Sequence, residues 1–357
     1  MKKIFLAMLL LTTFIFSGCD TQAAVNKEAA EVNGDLKISM MKVYHGDAIL
    51  VQTKKQTILI DTGDINFRDQ FVNALEKLSV TKIDKLILSH PHADHIGGAK
   101  MLIEPSAAQL EEFPYLKKIS VAEVYDNGAV YGSASYRNYI KATKNKGLLY
   151  KHLKDGDMLD FGDGVTFKVL FPTSEFIEKI NSGQFDQEEK SHYINNSSLV
   201  CKLTYKNFSM MFTGDCEKES EAEILSRKNV ADLKCDVLKS GHHGSYTSSS
   251  KEFVEAVNPS CVLISTSNND EDPYTPTVHP NIGVLSNYLK CGVTPQNIFC
   301  TRFNGIITLT SDGQNFSVKP EVEEDWVKKW IAVKREDKKR KKMLKSLNEG
   351  TMSSIGG

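Results

Sequence analysis

In LKISMMKV, residues 36–43, apolar and polar positions alternate with the period of a strand that buries one face. AILVQ (48–52) and TILID (57–61) are short apolar runs, set off by Gly46 and by Lys54-Lys55-Gln56, so two hairpin-like connections fit. The period changes at 67–78, where Phe67, Phe71, Ala74, Leu75 and Leu78 recur at helical spacing. DKLILS (84–89) is again a short apolar strand. Further on, FKVL (167–170), SLVCKLTY (198–205), FSMMFTGD (208–215), CDVLKSG (235–241) and CVLIS (261–265) read as strands. Helical runs separate them: EKESEAEILSRK (217–228), SKEFVEAV (250–257) and NIGVLSNYLK (281–290), before IFCTRF and GIITLT close the series. Early strands followed by mixed helices and strands predict a layered α/β domain over 35–315. Residues 104–160 break the rhythm and read as a loop-rich insertion. Six of the twelve tyrosines fall there (Tyr115, Tyr125, Tyr131, Tyr136, Tyr139 and Tyr150), as a lid or substrate wall or as the insertion's own small core.

Composition adds little. The 357 residues are 41% hydrophobic and 25% charged with net charge −1, so no whole-chain imbalance calls for a nucleic-acid or membrane partner. The two ends say more. Lys2-Lys3 precede the apolar run IFLAMLLLTTFIF (4–16), then FSGCD. This is the form of a secretory signal, and it is too short for a membrane span of roughly 20 residues. Ser17-Gly18-Cys19 resembles the lipobox of bacterial lipoproteins, with Phe16 where Leu is preferred. That resemblance makes 1–19 a signal peptide, Cys19 the lipidated first residue and 20–34 a polar tether. The expected location is the outer face of a bacterial cytoplasmic membrane, with plain secretion as the alternative. From Trp326 to Lys345, ten Lys or Arg face two acids. The segment 316–357 is expected as a basic tail, either solvated or an amphipathic helix that meets an anionic polymer, lipid or nucleic acid through Trp326, Trp330 and Val333. The other cysteines (Cys201, Cys216, Cys235, Cys261, Cys291 and Cys300) are scattered. Most suit buried positions, and a Cys291–Cys300 disulfide is conceivable in an exported chain.

The densest chemistry lies in SHPHADHIGG, 89–98. His90, His92, Asp94 and His95 are imidazole and carboxylate ligands in the pattern that holds divalent metal on a loop leaving a strand. Two further stretches end strands with ligand-type residues: Asp215 in FTGD, and His242-His243 in KSGHHGS. Far apart in sequence, they would meet at one edge of the sheets.

Together with HGDAILVQ, ILIDTG, NNSSLV and VHP, in this order, these stretches resemble the metallo-β-lactamase superfamily, and within it the ComEC/Rec2-like hydrolase domain; phosphorylcholine esterases of teichoic acids are similar. The resemblance implies a four-layer αββα sandwich and two divalent ions, zinc or alternatively manganese. By matching position it implies that His90 and His92 hold one metal, Asp94, His95 and one histidine of the pair (His243 preferred) the other, and that Asp215 bridges. Asp61 and Asp47 would support ligands from behind. The chain reads Tyr44-His45 where the branch more often has Gly-Gln. Other members of the superfamily place one more histidine before TGD; here Asn196-Ser197-Ser198 stands instead, and Asn196 and Ser198 are expected behind the metals or on substrate phosphate. His192 is nearby but outside the motif.

The expected chemistry is attack by water activated between two metals, with Asp94 central to the centre and His242 or His279 assisting the leaving oxygen. The expected function is a surface-anchored phosphodiesterase acting on phosphorylcholine or teichoic-type phosphodiesters. The alternatives are an extracellular nuclease on DNA or RNA, with the basic tail as guide, and a non-catalytic metal-binding surface protein. Nothing in the sequence calls for an obligate protein partner.

Overall fold

The computed structural model describes residues 33–183, 187–267 and 278–353. The signal segment and Cys19 lie outside them. Two sheets face each other. The first contains β1 (Leu36–Met40), β2 (Ile49–Gln52), β3 (Thr57–Ile60), β4 (Lys82–Ile87), β5 (Ser120–Asp126) and β6 (Leu149–His152). The second contains β7 (Met158–Asp160), β8 (Val165–Phe171), β9 (Val200–Tyr205), β10 (Phe208–Phe212), β11 (Val237–Lys239), β12 (Cys261–Ile264) and β13 (Ile298–Cys300). Near its end the chain returns to the first sheet with β14 (Ile307–Ser311) and β15 (Phe316–Pro320). The strand orders are β15-β14-β1-β2-β3-β4-β5-β6 and β13-β12-β11-β10-β9-β8-β7.

The αββα layering follows from where apolar side chains go. In β10, FSMMF, Phe208, Met210 and Phe212 point into the core between the sheets, and Met211 points outward under helices. Both faces are covered, so the strand reads as a continuous apolar run rather than an alternation. The outer face of the first sheet is covered by the helices Arg68–Lys77, Ala99–Ile103 and Ala134–Asn145. Phe71, Val72, Ala74 and Leu75 form the inward stripe of the first, as the spacing predicted. Burying each of its larger side chains contributes about 1.5–3 kcal/mol. The helices Lys218–Arg227, Lys251–Val257 and Ile282–Lys290 cover the second sheet.

Two boundaries differ from the sequence reading. Residues 104–160 are part of the sandwich: β5 and β6 extend the first sheet in parallel from β4, and β7 opens the second. Their tyrosines are mostly structural. The Tyr139 and Tyr150 hydroxyls donate to Asp126 at 2.6 and 2.5 Å, the Tyr125 hydroxyl donates to Glu123, and Tyr115 is buried. The domain does not end at 315 either. β15 pairs with β14 along its length, and the helix Trp326–Ser353 docks by its first turns. Trp326 and Trp330 are buried; their indole N–H groups donate to the carbonyls of Ile298 and Pro280 at 3.0 and 2.8 Å. The apolar face expected to meet lipid is thus a core face, while Lys338 to Lys342 stay exposed. All six described cysteines are free, and Cys300 is fully buried, so the Cys291–Cys300 disulfide is absent. Among the described residues no helix is long and apolar enough to cross a membrane.

Candidate metal centre

Parallel pairing of β3 with β4, and of β10, β11 and β12 in turn, brings the loops after these strands to one edge. Asp61 follows β3, the SHPHADH loop follows β4, Asp215 follows β10 and His242-His243 follow β11. The β1–β2 connection adds His45 and Asp47.

Four side chains converge most tightly. The ligand atoms of Asp94, His95, Asp215 and His243 all lie within 4.8 Å of one another. His95 Nε2 is 3.2 Å from Asp215 Oδ1, and His243 Nε2 is 3.3 Å from Asp94 Oδ2 and 3.4 Å from Asp215 Oδ2. His95 Nε2, His243 Nε2 and Asp215 Oδ1 are buried without a hydrogen bond of adequate geometry. Buried polar atoms are rarely left so. Three of them aimed at one point, all imidazole nitrogen or carboxylate oxygen, fit a zinc- or manganese-type ion.

Beside them His90 Nε2 and His92 Nδ1 are 3.2 Å apart, and His90 Nε2 is 3.9 Å from Asp215 Oδ2. Two imidazoles presenting their nitrogens to each other suit a second ion, with Asp215 reaching both. The structure therefore brings together every residue expected as a ligand: His90, His92, Asp94, His95, Asp215 and His243.

The protonation preferences of the metal-free cluster divide in the same way. Burial, then the neighbouring His95, holds His90 well below the ordinary imidazole range; burial also lowers His92. At His243 burial works downward, but the carboxylates of Asp215, Asp94 and Asp47 overcome it and push the ring up to about 10. At His95 burial is likewise overcome, by Asp215, Asp61 and Asp94. Against their own burial, Asp215 and Asp94 are held low by those imidazoles.

Behind the ligands the backing is specific. Asp61 accepts from the Ser89 backbone N–H and hydroxyl, both at 2.7 Å, and lies 2.8 Å from His95 Nδ1. His243 Nδ1 donates to the Ser265 carbonyl at 2.8 Å, which leaves Nε2 for a ligand role. His242 and His243 both sit in the left-handed region, with φ of 45° and 53°. Gly214, at φ 47°, has no such freedom to change: a Cβ there would meet Ser198 Cβ at 2.9 Å. This explains the small residues of the Asn-Ser-Ser stretch. The Ser198 hydroxyl accepts from Asp215 N–H at 2.9 Å, and Asn196 Oδ1 accepts from the Glu217 and Ser220 backbones. Both residues are fully or almost fully buried, so they hold the Asp215 loop from beneath and do not face phosphate.

His242 Nε2 lies 3.8 Å from Asp215 Oδ2, and its Nδ1 lies 3.0 Å from Glu217 Oε1 and 2.9 Å from Thr247 Oγ1. Spacing in the sequence gave no sign of Glu217, which opens a charged helix two residues after Asp215. His192 does not join His90 and His92; it pairs with Glu217 and Glu219. His279 reaches the rim, stacked on His45 at 5.0 Å and tilted 6.0 Å from His242. Burial, then His243 and His242, lowers His279 to about 4, so near neutral pH it carries no proton to give as a cation. His45 packs 4.2 Å from His243, and burial together with that neighbour lowers it to about 3. The preceding Tyr44 adopts φ 65°, a glycine-like conformation, with its ring stacked on Phe67 at 3.7 Å. The departure from the branch pattern thus adds an imidazole to the site. Of the six tyrosines, Tyr131 contacts a ligand, edge-on to His92 at 5.4 Å.

The chain is 29% identical over 253 residues to ComE operon protein 3 of Bacillus subtilis, covering 66% of this chain and 29% of that one. It is 28% identical over 260 residues to Competence protein ComA of Neisseria gonorrhoeae, covering 72% and 30%. The chain thus spans about three tenths of the length of these relatives, which belong to the expected ComEC/Rec2-like branch. Among solved structures, a diphosphatase from the PhnP family matches 74% of this chain and 95% of its own at 14% identity and a TM-score of 0.38. The family model of the metallo-beta-lactamase superfamily matches residues 41–267, and the chain is a member of that superfamily.

Proposed function

We propose that the protein is a metal-dependent phosphodiesterase. The observation that carries this is the sharing of Asp215 between two ligand groups, Asp94-His95-His243 and His90-His92. Held by His90, His92, Asp94, His95, Asp215 and His243, a pair of divalent ions would supply water activation at neutral pH and charge neutralisation at a phosphate. The chain's own part is to hold six ligands, to keep Asp215 between them, and to leave the His90–His92 side short of protein ligands where substrate oxygen can enter. His242, fixed at Nδ1 by Glu217 and Thr247, is better placed than His279 to give a proton to the leaving oxygen.

For the substrate, a nucleic-acid strand is the better supported class. One of the named relatives, ComA of Neisseria gonorrhoeae, is a competence protein. The C-terminal helix, which carries a run of exposed basic residues, is fastened through the Trp330 indole to the carbonyl of Pro280, next to His279. Phosphorylcholine or teichoic-type esters are the second reading. An aromatic cage for the quaternary ammonium of choline would draw on the tyrosines of 104–160, and most of these are packed into the sandwich. Anchoring through lipid on Cys19 is part of the proposal, supported by the sequence of 1–19; loss of labelling by a fatty-acid analogue in Cys19→Ser tests it.

The test of activity is hydrolysis of bis-p-nitrophenyl phosphate by the wild type and Asp94→Ala, each with added zinc or manganese. Equal rates with metal bound would establish the non-catalytic alternative instead. Single-stranded DNA and p-nitrophenylphosphorylcholine, offered side by side, then separate the two substrate classes.

A further inference from the structure

The ligand set leaves a buried cation at its base without a role. Lys239 ends β11 and is fully buried, in a strand otherwise made of apolar residues. An ammonium group is costly inside a protein unless it is paired and hydrogen-bonded. Here Nζ donates to the Gly214 carbonyl at 2.8 Å and pairs with the Asp47 carboxylate. These partners come from opposite sheets. Gly214 precedes Asp215 in the loop after β10, and Asp47 lies in the β1–β2 connection of the first sheet. Asp47 reaches on to the ligands, with Oδ1 3.5 Å from His243 Nδ1 and Oδ2 3.9 Å from His95 Nδ1. Asp47, Asp61 and His95 are close enough to form a cation-binding group of their own. The Lys239 ammonium already stands on Asp47.

We propose that Lys239 is a positioning residue that acts as the built-in cation of this lower group. It keeps Asp47 turned away from the metals. Through Asp47 and the Gly214 carbonyl it also fixes His95, His243 and Asp215 relative to one another across the two sheets. Its reach favours one half of the centre: both imidazoles facing Asp47 belong to the Asp94-His95-His243 group, and no contact of Lys239 runs toward His90 or His92 among the described residues. The inference rests on the reading of the cluster as a two-metal centre.

The experiment is zinc binding by the full chain, measured by chelator competition for the wild type, Lys239→Met and Asp47→Asn/Lys239→Met. Asp94→Ala and His90→Ala assign each affinity to its half. Circular dichroism and thermal melts report folding. The expected result for Lys239→Met is a 10- to 100-fold weaker site at the Asp94 half, with the His90 half changed less than threefold. If that variant does not fold, the double variant, which leaves no buried charge unpaired, carries the same expectation. Two unchanged affinities in a folded variant, or an equal loss at both halves, would overturn the inference while leaving the two-metal reading intact. A wild type that takes up no zinc overturns both.

Discussion

The two halves of the metal centre are braced to different degrees. Behind Asp94, His95 and His243 stand Asp61, Asp47, the Ser265 carbonyl and Lys239, all buried. Behind His90 and His92 stand neutral groups: Ser89 Oγ at 3.2 Å from His90 Nδ1, Ser191 Oγ at 3.4 Å from His92 Nε2, and the Asn195 side chain, which hydrogen-bonds His92. A carboxylate behind an imidazole fixes its tautomer and raises its basicity; a hydroxyl does so weakly. Under the proposed function, one half would hold an ion firmly and the other would share one with substrate.

The contrast is broken most severely by Asp215→Ala, which removes the residue both halves share. Activity should fall at least about a thousandfold, the scale of losing several kcal/mol of metal chemistry, and metal analysis should show fewer than two ions retained. Asp61→Asn sharpens the contrast: affinity at the Asp94 half should drop about 10- to 100-fold, read by chelator competition, with the His90 half nearly unchanged. Glu217→Gln, which weakens the hold on His242, should lower kcat about tenfold with little change in KM or metal content. Ser191→Ala, behind the loose half, should alter either affinity by about twofold or less.

Acidity separates the halves too. His243 and His95 are pushed up in the metal-free chain and must lose protons to bind metal, whereas His90 and His92 are held low and need not. Affinity at the Asp94 half should therefore rise with pH, up to about tenfold per unit for each proton released, and stay flat at the other. Proton release into weak buffer during zinc titration measures this. The metal-free fold should show the converse. With His243 raised from 6.5 to about 10, its stabilising share is whole below pH 6.5 and lost as pH climbs through 10. Thermal melts of stripped protein at pH 6.5 and pH 10 check the sign.

What the sequence revealed follows from how locally each feature is encoded. The candidate ligands crowd into short motifs at strand ends, so their convergence at one edge was legible. Their braces come singly from distant strands. Lys239 carried one signal, a charge in an otherwise apolar run; Glu217 was masked by the charges of its helix. The strands of 104–160 were missed because β6, LYKH, is an edge strand exposed at most positions, and β5, SVAEVYD, is exposed or half-exposed over its first four residues. At the C-terminus the Trp326–Trp330 face was legible, but the dense charge that follows Lys328 suggested a face turned to a partner rather than to the core. Tyr44 could not be interpreted from sequence, because its positive φ is set by tertiary stacking on Phe67.

Tyr44, Asp61, His242 and His243 all hold left-handed backbone around one site. Such conformations cost of order 1–3 kcal/mol each in residues with a side chain. At His243 the pairing with Asp215, Asp94 and Asp47 offsets that cost, while the half-buried His242 has less to set against it. A screen for hardier variants should therefore enrich His242→Gly and, in the same step, delete that imidazole. The loop that supplies the chemistry is the part of the molecule least suited to stabilisation by its own sequence, and it keeps its shape because the surrounding sandwich enforces it.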